Sequence, residues 1–181
     1  MNLLGISGSL RAESFNTKLL AAAAQSAEAA GATVSTFDIG TLPLYNQDLD
    51  GDDKPDSVVA WKSAIEKTDA LVFVSPEYNY GIPGVLKNAI DWASRPGYKS
   101  VLRGKPSLIL SASMSAIGGA RMQAHLKNIL AATLTPFYLA PEFVLAAAHK
   151  AFDDEGHLAD EDTIKRLDRL VRDFMTWAAA D

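Results

Sequence analysis

Hydroxyl groups crowd one early segment, Ser7-Gly8-Ser9-Leu10-Arg11-Ala12-Glu13-Ser14-Phe15-Asn16-Thr17, between an apolar stretch at residues 3–6 and a long helical pattern. A turn of Ser, Gly, Asn and Thr at a helix N-terminus is suited to an anion. The free N–H groups of the first helical turn point outward with partial positive charge, and short hydroxyls add neutral donors around them. Arg11 is the one basic residue in the turn. Hydrogen bonding therefore outweighs charge, and the composition suits a single phosphomonoester better than a polyphosphate. Capping the helix would need one such side chain; this turn supplies several.

Two later segments also carry unusual chemistry. Ser75-Pro76-Glu77-Tyr78-Asn79-Tyr80-Gly81-Ile82-Pro83-Gly84 places aromatics, an amide, prolines and glycines where a connection should be short. Prolines stiffen such a loop, glycines allow close backbone approach, and tyrosines offer flat faces. Ser113-Met114-Ser115-Ala116-Ile117-Gly118-Gly119-Ala120-Arg121 is a second small, donor-rich loop that opens a helix.

The elements around these loops alternate. Residues 3–7 read as a strand, and the helix after it carries Leu19, Leu20, Ala23, Ala27 and Ala30 at helical spacing until Gly31. Residues 33–37 are β-branched and aromatic, a second strand. A loop rich in Asp, Pro and Gly at 40–56 leads to a helix over 58–67. The unbroken apolar run 70–74 suits a central parallel strand buried on both faces. Pro83 suits the first turn of the next helix, whose apolar stripe is Val85, Leu86, Ala89, Ile90 and Ala93, and Arg95-Pro96-Gly97 ends it. A fourth strand at 107–112 precedes a helix over 119–130. Residues 137–139, between Pro136 and Pro141, read as an edge strand, because proline cannot donate to a ladder. A last helix covers about 160–179. The pattern predicts one domain over 1–181, a doubly wound α/β sheet of five parallel strands in the order 2-1-3-4-5, with helices on both faces. That order makes strands 1 and 3 neighbours at the switch point, so the three loops converge. A phosphate cradle beside a polar-edged flat slot fits a mononucleotide with a large planar ring.

Bulk properties exclude several functions. The net charge is −5, from 17 basic and 22 acidic residues, which argues against nucleic acid. Lys165, Arg166, Arg169 and Arg172 alternate with acidic residues at helical spacing, a solvated face. There is no cysteine, so redox chemistry would need a bound cofactor. No apolar stretch approaches the roughly 20 residues that span a bilayer. With a strand starting so near the first residue, no leader is expected, and the expected location is the cytoplasm. Gly5-Ile6-Ser7-Gly8-Ser9 nearly matches the G-x-S-x-G elbow, but Ser9 takes the place of its last glycine. Neither G-x-G-x-x-G nor a Walker lysine is present. In Asp48-Leu49-Asp50-Gly51-Asp52-Asp53 the glycine is misplaced for calcium, and His125, His149 and His157 lack ligand spacing, so no metal is expected. No side-chain nucleophile or general base is evident.

Gly8-Ser9-Leu10-Arg11 with Ser14 and Asn16, then Pro76-Glu77-Tyr78-Asn79 running into Gly84-Val85-Leu86-Lys87-Asn88-Ala89-Ile90-Asp91-Trp92, resembles the NADPH-dependent FMN reductase family. Within it the chain most resembles bacterial quinone and chromate reductases. The likeness covers nearly the whole chain, and the two motifs together are specific. It implies a flavodoxin-like fold, tightly bound FMN, reduction by NADH or NADPH, and a homodimer or homotetramer. It also implies that Ser9, Arg11, Ser14, Phe15, Asn16 and Thr17 take the FMN phosphate. Pro76, Glu77, Tyr78 and Asn79 would take the ribityl chain and ring, with Ser113 at the ring's far side. Tyr80 would meet the flavin, or else serve surface packing or a subunit contact, and Arg121 would meet either dinucleotide phosphates or a carboxylate at a subunit interface. The expected activity is reduction of quinones and other small acceptors, chromate, ferric chelates and azo compounds among them, with nicotinamide and acceptor using one flavin face in turn. The alternative is an FMN-bound electron carrier for a protein partner, which would want a stronger acidic surface than −5 spread over 181 residues.

Overall fold

Five apolar residues in a row leave β3, Ala70–Val74, buried at every position, and the rest of the sheet is laid around it. In the computed structural model, which describes residues 1–180, the order is β2-β1-β3-β4-β5. Every pairing is parallel. The flanking strands are β1, Asn2–Ser7, β2, Thr33–Thr36, β4, Ser107–Ala112, and β5, Phe143–Leu145.

Alternating side chains of the strands feed two separate cores. Leu4, Ile6, Leu71, Phe73 and Ile109 point to one face, where α2 (Asp56–Glu66), α3 (Gly84–Ala93) and α4 (Ala120–Ala132) cover them. Leu3, Val72, Val74, Leu108 and Leu110 point to the other, under α1 (Phe15–Ala29) and α5 (Glu161–Ala178). Trp61, Trp92 and Phe73 anchor the first core and Phe174 the second, all below 2% exposed. Truncating any of them to alanine removes roughly 3–5 kcal/mol.

Most boundaries lie within two residues of expectation. The fifth strand does not. Phe137, expected to begin it, makes only an isolated bridge to Ser107, reinforced where Tyr138 donates its N–H to the Ser107 carbonyl at 2.8 Å. The chain then leaves the sheet across Leu139 to Glu142 and returns as Phe143–Leu145, paired with Leu110, Ser111 and Ala112. Pro141 explains the gap: without an N–H it cannot continue a ladder, so pairing resumes only after it. The returning strand is locked by Gln123, 1% exposed, whose amide donates to the Phe143 carbonyl (2.8 Å) and the Ser111 hydroxyl (2.9 Å).

The acidic loop before α2 is held by ion pairs: Asp50 meets Lys54 at 3.4 Å and Arg95 at 3.5 Å. On α3, Lys87 pairs with Asp91 at 2.7 Å within the helix. Asn88 and Trp92 reach out of it, both donating to the Pro43 carbonyl, while Asn88 also accepts from the Tyr45 N–H. They fix the loop that follows β2.

Candidate functional site

Each of the three loops leaves the C-terminal edge of the sheet by one more ladder-like bond to the next strand. Gly8 donates to the Val74 carbonyl (2.9 Å), Ser75 to Leu110 (3.2 Å) and Ser113 to Leu145 (3.0 Å). The loops therefore start side by side. A Cβ on Gly8 would lie 2.2 Å from the Ser75 hydroxyl, so only glycine lets the first loop touch the second.

The first loop divides its labour. Ser14, 2% exposed, caps α1 by accepting from the N–H groups of Asn16 (3.2 Å) and Thr17 (3.3 Å). Asn16, 4% exposed, turns inward: its amide donates to the Ala112 carbonyl and accepts from the Ala112 N–H, both at 2.9 Å. Its side chain braces the site, and so does that of Ser14. Phe15 stacks on Phe152 at 6.1 Å, and the Arg11 guanidinium lies 5.1 Å from its ring centre. The hydroxyls of Ser7 and Thr17 share a hydrogen bond of 3.0 Å, and Ser9 stands half-buried beside them. Among the described residues, the N–H groups of Leu10, Ala12, Glu13, Ser14 and Phe15 find no acceptor. A cleft of about 540 Å³ opens on the β2 side of this turn, with Ser9, Arg11 and Thr17 on one wall and Asp38, Gly40 and Thr41 on the other.

The second loop is a tight reversal. Tyr78 and Gly81 exchange two hydrogen bonds of 3.0 Å, with Asn79 (φ 49°) and Tyr80 (φ 67°) at the tip. Two consecutive left-handed residues make the mirror-image turn that joins paired strands. Asn tolerates that geometry; Tyr is rarely found in it. Tyr78 is 54% and Tyr80 71% exposed, while Pro76 is half-buried. Glu77 is sunk beneath them, its side chain 9% exposed. One carboxylate oxygen accepts from the Arg121 Nε–H at 2.6 Å; the other is buried without a partner.

In the third loop the Ser113 and Ser115 hydroxyls meet at 3.1 Å. Gly118 (φ 65°) and Gly119 (φ 93°) then swing the chain into α4. A Cβ on Gly119 would lie 2.9 Å from that of Ser111, so close packing as well as conformation excludes a side chain there.

The residues expected from the sequence thus gather on three adjoining loops. Of the two left open, Arg121 meets a carboxylate of its own chain, Glu77, and its guanidinium lies 3.7 Å from the Tyr80 ring centre. His125, considered in the sequence only as a metal ligand, accepts the Ile82 N–H on Nδ1 at 3.2 Å. Nothing local signals that contact, since the partners are 43 residues apart.

These features fit FMN. The N–H row and hydroxyls suit its phosphate, and an exposed tyrosine face suits its ring. A buried, unpaired carboxylate oxygen is unfavourable by about 1–3 kcal/mol or more. It calls for a donor such as a ribityl hydroxyl.

Known proteins point the same way. A 2-hydroxy-1,4-benzoquinone reductase of Burkholderia sp is 42% identical over 170 residues, covering 94% of this chain and 92% of that protein. A quinone reductase of Escherichia coli (strain K12) is 37% identical, covering 92% and 89%. Among solved structures, FerB, a flavoenzyme NAD(P)H:(acceptor) oxidoreductase from Paracoccus denitrificans, superposes with a TM-score of 0.90 at 39% identity, covering 99% of this chain and 97% of that one. The sequence pattern of NADPH-dependent FMN reductases matches residues 1–150. That stretch runs from β1 through all three loops, and the chain belongs to the NADPH-dependent FMN reductase family.

Proposed function

We propose that the protein is an FMN-dependent NAD(P)H oxidoreductase whose first acceptors are quinones. The observation that carries this reading is the set of free N–H groups of Leu10, Ala12, Glu13, Ser14 and Phe15 lying beside a loop with a buried, unpaired acceptor and exposed tyrosine faces. Ser9, Arg11 and Thr17 would hold the phosphate with the free N–H groups of Ala12, Glu13, Ser14 and Phe15, while the Ser14 cap and the buried Asn16 amide keep the turn in place. Pro76, Glu77, Tyr78 and Asn79 hold the ribityl chain and ring, and Ser113 closes the far edge.

When bound, FMN supplies the redox chemistry, taking two electrons from NADH or NADPH and passing two to an acceptor. The chain orients the reactants and leaves one planar slot open. Backbone N–H groups of these loops would offset negative charge on a reduced ring, and the chemistry asks for no side-chain nucleophile or base. Chromate, ferric chelates and azo compounds are further acceptors of such an open slot. The chain works as one domain in a cytoplasmic homodimer or homotetramer. Among the described residues no helix is long and apolar enough to cross a membrane.

The absorption spectrum of the purified protein tests the reading. The expected result is a yellow protein with about one FMN per chain that bleaches anaerobically on addition of NADPH. Colourless protein that takes up no added FMN would overturn it.

A further inference from the structure

Helix α4 touches the tyrosine loop at both of its ends. Arg121, in the first turn of the helix, donates from Nε to Glu77 at 2.6 Å and lays its guanidinium 3.7 Å from the Tyr80 ring centre. One turn on, His125 accepts the Ile82 N–H at 3.2 Å. Its ring also packs on the loop backbone, since a Cβ on Gly81 would lie 2.7 Å from Nδ1. Residues four apart on a helix share a face, so two side chains of one face hold residues 77, 80, 81 and 82.

The loop needs such a grip. Tyr80 adopts a left-handed conformation, φ 67°, that a bulky residue disfavours. Tyr80 is 71% exposed, so little else of its own chain packs against it. Only arginine can serve both contacts at once, because a planar guanidinium can stack through its face while donating from its edge. Lysine would keep the charge near Glu77 and lose the face.

We propose that Arg121 and His125 are positioning residues that clamp the 77–82 loop in its strained turn and so fix the slot by which nicotinamide and acceptor reach the flavin. The effect on turnover rests on the flavin reading; the clamp itself does not require flavin.

Amide hydrogen exchange on the full chain, with and without added FMN, tests it. Tyr78, Gly81 and Ile82 each donate within the clamped turn, so their exchange reports its opening. In R121A and R121K the Tyr78 and Gly81 amides should exchange about tenfold faster, and in H125A the Ile82 amide likewise, with amides of β3 and α3 unchanged. In the holoenzyme, KM for NADPH and quinone should rise more than kcat falls. Y80A should remove any further effect of R121K, because both delete the same stack. Unchanged loop exchange in R121K and H125A, or R121K and Y80A effects that simply add, would overturn the clamp. Faster loop exchange in a protein that takes up no FMN would uphold the clamp and sink the flavin reading alone.

Discussion

Two serines of the first loop stand in different surroundings, and the proposed function gives them different work. Ser14 is buried and its hydroxyl is occupied by the helix start; Ser9 is half-buried among free donors. Ser9→Ala should remove a hydrogen bond to a charged phosphate, about 1.5–3 kcal/mol, and weaken FMN roughly ten- to a hundred-fold. Riboflavin, which lacks the phosphate, should not register the change. Ser14→Ala should instead lower stability by about 1 kcal/mol as a lost cap. Titrations of both ligands against both variants, with melting curves, check this. Equal loss of FMN and riboflavin in Ser9→Ala would place Ser9 with the bracing residues. The sequence marks both serines as polar and near a helix start, but it cannot say which one turns inward. That depends on Asn16 finding Ala112, a contact across 96 residues.

Elements were legible in proportion to how far their own residues decide them. The run 70–74 declares a buried strand because burial on both faces excludes polar residues. The fifth strand was displaced because its place is set by where β4 accepts a partner, and prolines on either side of 137–139 gave the wrong stretch the look of an edge. The three loops were legible as chemistry, but the α4 contacts that hold the second were not, since Arg121 and Glu77 stand 44 residues apart. The segment entering α5 makes a further prediction. The Asp153 carboxyl is held below its ordinary 3.8 mainly by the backbone N–H of His157, with those of Glu155 and Gly156 adding to it. The Asp160 carboxyl is held low by hydrogen bonds from Thr163 at the helix cap. A depressed value in the folded state means stability that is full above 3.8 and lost as pH falls through the depressed value. A D153N/D160N variant keeps acceptor oxygens but no charge. It should melt below the native protein at neutral pH, and the gap should close in acid. A gap that persists unchanged under acid conditions would remove the charge from the explanation.

At the scale of the molecule, the proposed function gives the tyrosine loop one slot over one flavin face, and one slot cannot hold nicotinamide and acceptor productively together. Steady-state rates at varied NADH and quinone should give parallel double-reciprocal lines, with excess quinone competing against NADH. Intersecting lines would mean two separate sites. The buried pairing of Asn16 with Ala112 has a different reach. It joins the start of α1 to the end of β4 through two bonds of 2.9 Å, so the loop proposed to hold the phosphate and the loop beyond β4 belong to a single stiff frame. The frame works as a fixed gauge. Once either end of a ligand of matching span is seated, the other is presented at an effective concentration on the order of millimolar or above. A molecule that is too short engages one jaw only and gains none of this. On the proposed function, a mononucleotide of one length would be preferred because of the rigidity of the frame, ahead of any contact with its ring.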